Sequence, residues 1–263
     1  MDPTPDRYDR RLWPFVVLTF AISWGVGGIY LLFPKPLTAA FGPFAYGKPA
    51  FYLAACAPTL AAVILTLARE GRPGLMRLLR GLTVLGSPWA WLVAWLALPL
   101  IALALCGLPG WPVTPRQVLV ATPLLLFTTA QVITNCGPLG EELGWRGYAL
   151  PRLLERASPL TAGLILGLIW TLWHVPAVLF SGIIYVSAAG LGWFALNTVG
   201  LSLLMTALFI RTRRSVLVAG VIPHFVINGL GATGAWASRP AEAMALAALG
   251  LALIILPRPA DTT

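Results

Sequence analysis

The sequence predicts an all-α integral membrane protein, a bundle of about eight transmembrane helices. Composition is the first observation behind that class. Of 263 residues, 58% are hydrophobic and only 10% charged, whereas a soluble domain carries about 25% charged residues. The second is block length: the apolar residues fall in uninterrupted runs of about the 20 that a bilayer core requires of a helix. The third is where the charge sits. The net charge of +9 comes from basic residues at the ends of apolar blocks, as membrane orientation requires, so it gives no reason to expect a nucleic-acid partner.

In chain order the candidate spans lie near 13–33, 51–68, 89–108, 118–150, 161–180, 183–210, 215–230 and 241–256. The first, Trp13 to Phe33, is too long for the apolar region of a secretory signal, and no clear small-residue cleavage site follows it, so no cleavable signal is expected. The fourth is over-long, and its end decides where the polar residues lie. If it continues to Ala149 or Leu150 and stops at Pro151-Arg152, with Pro138 marking a kink, Glu141 lies roughly 13 Å from the inner surface. His224 lies at about the same depth in the seventh span, while His174 comes out deeper, at roughly 20 Å. One polytopic domain spans 1–263, and its motif-bearing core runs over about 118–230.

The basic residues test this arrangement. With the N-terminus inside, the inner segments hold Arg7, Arg10, Arg11, Arg69, Arg72, Arg77, Arg80, Arg146, Arg152, Arg156, Arg211, Arg213, Arg214 and Arg258. The outer ones hold only Lys35, Lys48, Arg116 and Arg239. That asymmetry is what eight spans with both termini cytoplasmic require, and it reads the Arg211–Arg214 cluster as a topology anchor. Tryptophans at block ends (Trp13, Trp89, Trp111, Trp193, Trp236) read as interfacial anchors. The three cysteines, Cys56, Cys106 and Cys136, read as small packing residues rather than disulfides or metal ligands. No internal repeat is visible, which weakens a secondary-transporter reading.

Ionisable groups at membrane depth are costly and mark functional sites. Four stand out: Glu141, Glu142, His174 and His224, the two histidines being the only ones in the chain. Glu142 and Arg146 are four apart and can pair along one helix face; Glu141, about 100° around the helix, then points elsewhere. Trp170 with His174, and His224 with Asn228, share faces at the same spacing. Pro176 and Pro223 can kink or open the helices beside the two histidines. Gly163 and Gly167 fall on the stripe of Trp170 and His174, a spacing that lets helix backbones approach and presses the His174 face against a neighbour. Asn197 reads as packing glue.

A carboxylate with two imidazoles inside a membrane has the parts for activating water: a base to take its proton, and an imidazole with an amide to stabilise an oxyanion. Glu141, His174 and His224 also form a zinc-compatible ligand set, although no His-Glu-x-x-His lies on one helix. The residues alone leave carboxylate-activated and metal-activated water both open. A proton-coupled transporter or a non-proteolytic scaffold would use buried Glu and His as well.

Three motifs carry a resemblance: Glu141-Glu142-Leu143-Gly144-Trp145-Arg146, then Trp170-Thr171-Leu172-Trp173-His174, then His224-Phe225-Val226-Ile227-Asn228. In this order they resemble the CAAX protease and bacteriocin-processing (CPBP) family of intramembrane endopeptidases, with Trp170 where phenylalanine is usual. The resemblance implies that Glu141 activates water with help from His174, that His224 and Asn228 form an oxyanion pocket, and that Glu142 and Arg146 support the geometry. It implies a glutamate mechanism without a cofactor, zinc being the alternative, and a site open to the cytoplasmic side. The implied partners are membrane lipid and a protein or peptide substrate. Arginine outnumbers lysine sixteen to two, which suggests a GC-rich bacterial genome and so a bacterial inner membrane.

Overall fold

A computed structural model of the chain describes residues 11–45, 47–120, 137–179, 187 and 190–256. Among these every regular element is a helix. The first, α1 (Trp13–Leu32), has Pro14 in its first turn and buries only Phe15, Thr19 and Ser23, one residue per turn. It is apolar all round, so the rest of its surface suits lipid. After the short α2 (Pro34–Phe41) and α3 (Pro49–Ala55), the chain bends by 60° into α4 (Ala57–Arg80). The fifth helix, α5 (Pro88–Leu105), buries Ala90, Ala94, Leu98 and Ala102 at four-residue spacing. Leu92, Leu96 and Leu100 face outward from it.

The helix expected to carry the two glutamates is α6 (Gly137–Glu142), continued by a π-helical stretch, Leu143–Ala149, and by α7 (Leu150–Leu154). Pro151 does not stop it, contrary to expectation. Proline is tolerated in a first helical turn, where its missing N–H costs little, and Pro151 occupies that position in α7. Residues 121–136 of the expected fourth span, Cys136 among them, lie outside the described residues. Next come α8 (Pro159–Trp173), with Ser158 capping its N-terminus through the Thr161 N–H, and the short α9 (Val175–Leu179). The remaining helices are α10 (Leu191–Arg211), a second π stretch (Leu217–Val221) leading into α11 (Ile222–Ala232), and α12 (Pro240–Ile255).

Among the described residues three helices, α1, α5 and α10, are long and apolar enough to cross a bilayer, and the bent α3–α4 pair makes a fourth if it is one span. Two-thirds (67%) of the α10 window is buried, against 17% for α1 and 28% for α5, so α10 is the central helix. Glycines set its two main contacts. A Cβ at Gly167 of α8 would lie 2.9 Å from the Val199 Cα, and one at Gly163 2.9 Å from Leu203, so the expected close approach is real. Ser202 adds a 2.9 Å hydrogen bond to the Gly163 carbonyl. On the other side, a Cβ at Gly250 of α12 would fall 2.8 Å from the Gly200 carbonyl oxygen.

Beyond the second candidate span, near 51–68, the chain stays helical. Helix α4 breaks at Gly71, where φ is +63, and resumes to Arg80 with Pro73 in its new first turn. Trp236 is not an interfacial anchor: it is buried, and its indole N–H donates to Asn197 Oδ1 at 2.9 Å, which gives Asn197 its expected packing role. Cys56 is not a free packing residue: it is disulfide-bonded. Cys106 is a free thiol against the Ala102 carbonyl.

Candidate functional site

Helices α6, α8 and α11 bring the sequence-predicted residues together. Glu141 and Glu142 end α6, Arg146 lies in the first π stretch, His174 caps the C-terminus of α8, and His224 stands in the first turn of α11. Glu141, Glu142, Arg146 and His224 are buried. Burial of four such groups is tolerated only when they satisfy one another, and each has a partner.

Glu142 is shared by two partners. Arg146 Nη1 lies 3.0 Å and 2.9 Å from its two oxygens, the expected pair one turn apart. His224 donates from Nδ1 to the same carboxylate at 2.8 Å. This second bond was not foreseeable from spacing, because 82 residues separate the two. Gly220 makes it possible: a Cβ there would stand 2.7 Å from a Glu142 oxygen. The π stretches that follow Glu142 and precede His224 shift the rotational phase of both helices, a feature frequent at functional sites.

Glu141 points away from that pair, as its position on the helix implied. Its Oε2 accepts the Trp170 indole N–H at 2.8 Å, and its Oε1 faces His224 Nε2 at 4.0 Å. The distance is too long for a direct hydrogen bond and is one that a water touching both atoms can bridge.

His174 sits among aromatic rings, with centroids 5.7 Å from Trp170, 4.9 Å from Trp173 and 5.5 Å from Phe194 of α10. The glycine-mediated approach of α8 to α10 thus presses His174 on its neighbour, as expected. Its Nδ1 lies 2.8 Å from the Trp170 carbonyl. A carbonyl only accepts, so Nδ1 carries the proton and Nε2 of the neutral ring is left as the acceptor. The Trp170 ring also lies 5.1 Å from that of His224. Asn228, one turn beyond His224, is exposed, with its amide toward Gly137.

No three His, Cys, Asp or Glu side chains among the described residues converge closely enough to hold a metal ion. The zinc-compatible set read from the sequence, Glu141, His174 and His224, is therefore not assembled as a ligand cage.

A family model described as Type II CAAX prenyl endopeptidase Rce1-like matches residues 121–230. The chain is also 33% identical over 93 residues to CAAX prenyl protease 2 of Methanococcus maripaludis. That alignment covers 34% of this chain and 34% of the relative. Both matches are partial, and the family model takes in every residue of the three motifs. Through that segment the chain is similar to CAAX-protease-like membrane proteins, in line with the resemblance its motifs carry.

Proposed function

We propose that the protein is an intramembrane endopeptidase that hydrolyses a peptide bond near the cytoplasmic side of the membrane with water activated by Glu141. The observation that carries this reading is the facing of Glu141 Oε1 and His224 Nε2 across 4.0 Å inside a helical bundle. A water between them gives its proton to Glu141, and the hydroxide adds to the carbonyl carbon of the scissile bond. His174, with Nε2 free to accept, shares that proton. His224, when it carries protons on both nitrogens, donates one to Glu142 and offers the other to the oxyanion, alongside the Asn228 amide. Collapse of the tetrahedral species breaks the C–N bond, and the proton held by Glu141 passes to the leaving amine. Glu142 and Arg146 hold His224 in place. No three His, Cys, Asp or Glu side chains group together among the described residues, which supports the reading, and no step is routed through a metal.

The substrate is a protein or peptide presented at the bilayer, and the surrounding partner is membrane lipid. The basic-residue bias supports a single polytopic domain with both termini cytoplasmic, and the arginine-rich composition supports a bacterial inner membrane. The test is cleavage of a panel of membrane-tethered peptides by purified, liposome-reconstituted protein, with Glu141→Gln as the paired control. Wild-type cleavage lost in that variant is the expected result. Folded wild type that cleaves no member of the panel overturns the reading.

A further inference from the structure

We propose that Trp170 is a positioning residue that divides the labour of the two Glu141 oxygens, an inference resting on Glu141 as the water-activating base. The indole N–H donates to Oε2 at 2.8 Å, between buried groups. Holding that oxygen fixes the rotation of the carboxylate and leaves Oε1 as the one facing His224. A carboxylate free to rotate would offer its basic oxygen to the water only part of the time.

The indole is itself held on several sides. The Arg146 guanidinium carbon lies 4.3 Å from the ring centroid, a cation–π distance. His224 meets the ring edge-on at 5.1 Å, and His174 follows at 5.7 Å. A cation over the ring face draws electron density from it and makes the N–H a better donor to the carboxylate. Arg146 thus acts on the site twice, through Glu142 and through Trp170. Phenylalanine at 170 would keep the ring contacts and lose the donor. Trp173 provides an internal contrast: it belongs to the same aromatic cluster, but its N–H has no hydrogen-bond partner among the described residues.

The test replaces Trp170 by benzothienylalanine, an isostere with sulfur in place of N–H, in the reconstituted full chain; Trp170→Phe is the encoded counterpart. A hydrogen bond to a charged group corresponds to about a tenfold to hundredfold effect. The expected outcome is a fall of that size in kcat with KM unchanged, while the same isostere at Trp173 leaves kcat within about twofold. A second readout needs no substrate: the indole proton resonance of Trp170, assigned by its loss in Trp170→Phe, moves upfield in Glu141→Gln. An unmoved resonance overturns the proposal, as does wild-type kcat in the isostere alongside an inactive Glu141→Gln. Persisting activity in Glu141→Gln instead overturns the assignment of the base, while the resonance still reports on the contact itself.

Discussion

His224 and Glu142, on helices 82 residues apart, meet at 2.8 Å, and the carboxylate that fixes the imidazole is the one that neutralises Arg146. Removing Glu142 therefore has two consequences: it strands a fully buried guanidinium and releases a site histidine. Breaking a buried ion pair from one side costs about 3–5 kcal/mol. Glu142→Ala and Arg146→Ala are each expected to lower the yield of folded protein and its thermal stability as well as activity. The double variant Glu142→Ala/Arg146→Ala is expected to regain part of the stability and none of the activity. Additive destabilisation in thermal melts would show that the pair is not coupled.

Glu141 lies outside that ion pair, so its replacement is expected to spare the fold. Glu141→Gln, His174→Ala and His224→Ala are each predicted to cut cleavage by at least about 100-fold, the scale of a lost general base or acid. All three should keep the elution profile of the wild type in detergent. Glu141→Gln that cleaves at the wild-type rate would remove Glu141 from the chemistry.

The pairing of Glu142 with Arg146 and the divergence of Glu141 were legible because both follow from helical periodicity within six residues. The approach of α8 to α10 was legible for the same reason, through Gly163 and Gly167. Bonds between helices were not. Nothing in the spacing of His224 points to Glu142, and nothing in the spacing of Trp170 points to Glu141; both depend on how α6, α8 and α11 pack. A glycine at 220 was the one local signal, and its meaning appears only once Glu142 is seen against it. The helix runs past Pro151 because a proline stops an α-helix in mid-run, but not in the first turn after a π stretch. The disulfide at Cys56 could not be read from three cysteines in apolar segments.

The glycine contacts around α10 give a packing prediction. A side chain at Gly167 would meet the Val199 Cα at 2.9 Å, a backbone atom that cannot swing away. Gly167→Leu is expected to separate α8 from α10, to destabilise the protein by about 1–3 kcal/mol and to loosen the contact of His174 with Phe194. Gly192→Ala on α10, where nothing lies within 4 Å, should leave melting unchanged. Equal melting of the two variants would contradict this packing.

The basic-residue bias and the disulfide test the same topology by different chemistry. Lys48 precedes α3, at the end of the α3–α4 pair assigned to the outside, and Cys56 lies at the bend between the two helices; disulfides persist in oxidising compartments. Cysteine at position 48 is predicted to react with an impermeant thiol reagent in intact cells, and cysteine at 213 only after lysis. In denatured, unreduced protein, Cys106 should alkylate and Cys56 should not until reductant is added. Labelling at 213 but not 48 in intact cells would invert the orientation and place the site on the wrong side.

Metal removal decides between the two ways of activating water. The described residues offer Glu141 Oε1 and His224 Nε2 at 4.0 Å, but no group of three donors close enough to hold an ion. His224 already commits Nδ1 to Glu142, and His174 commits its own to the Trp170 carbonyl. In a zinc hydrolase, three protein ligands hold the ion and a fourth position carries the water. With Glu141 as the base, exhaustive chelation should leave the rate of cleavage unchanged, and purified protein should carry far less than one metal per chain. Added Zn²⁺ should not raise the rate. Stoichiometric zinc whose removal abolishes cleavage, and whose return restores it, would replace the glutamate mechanism and make ligands of Glu141, His174 and His224.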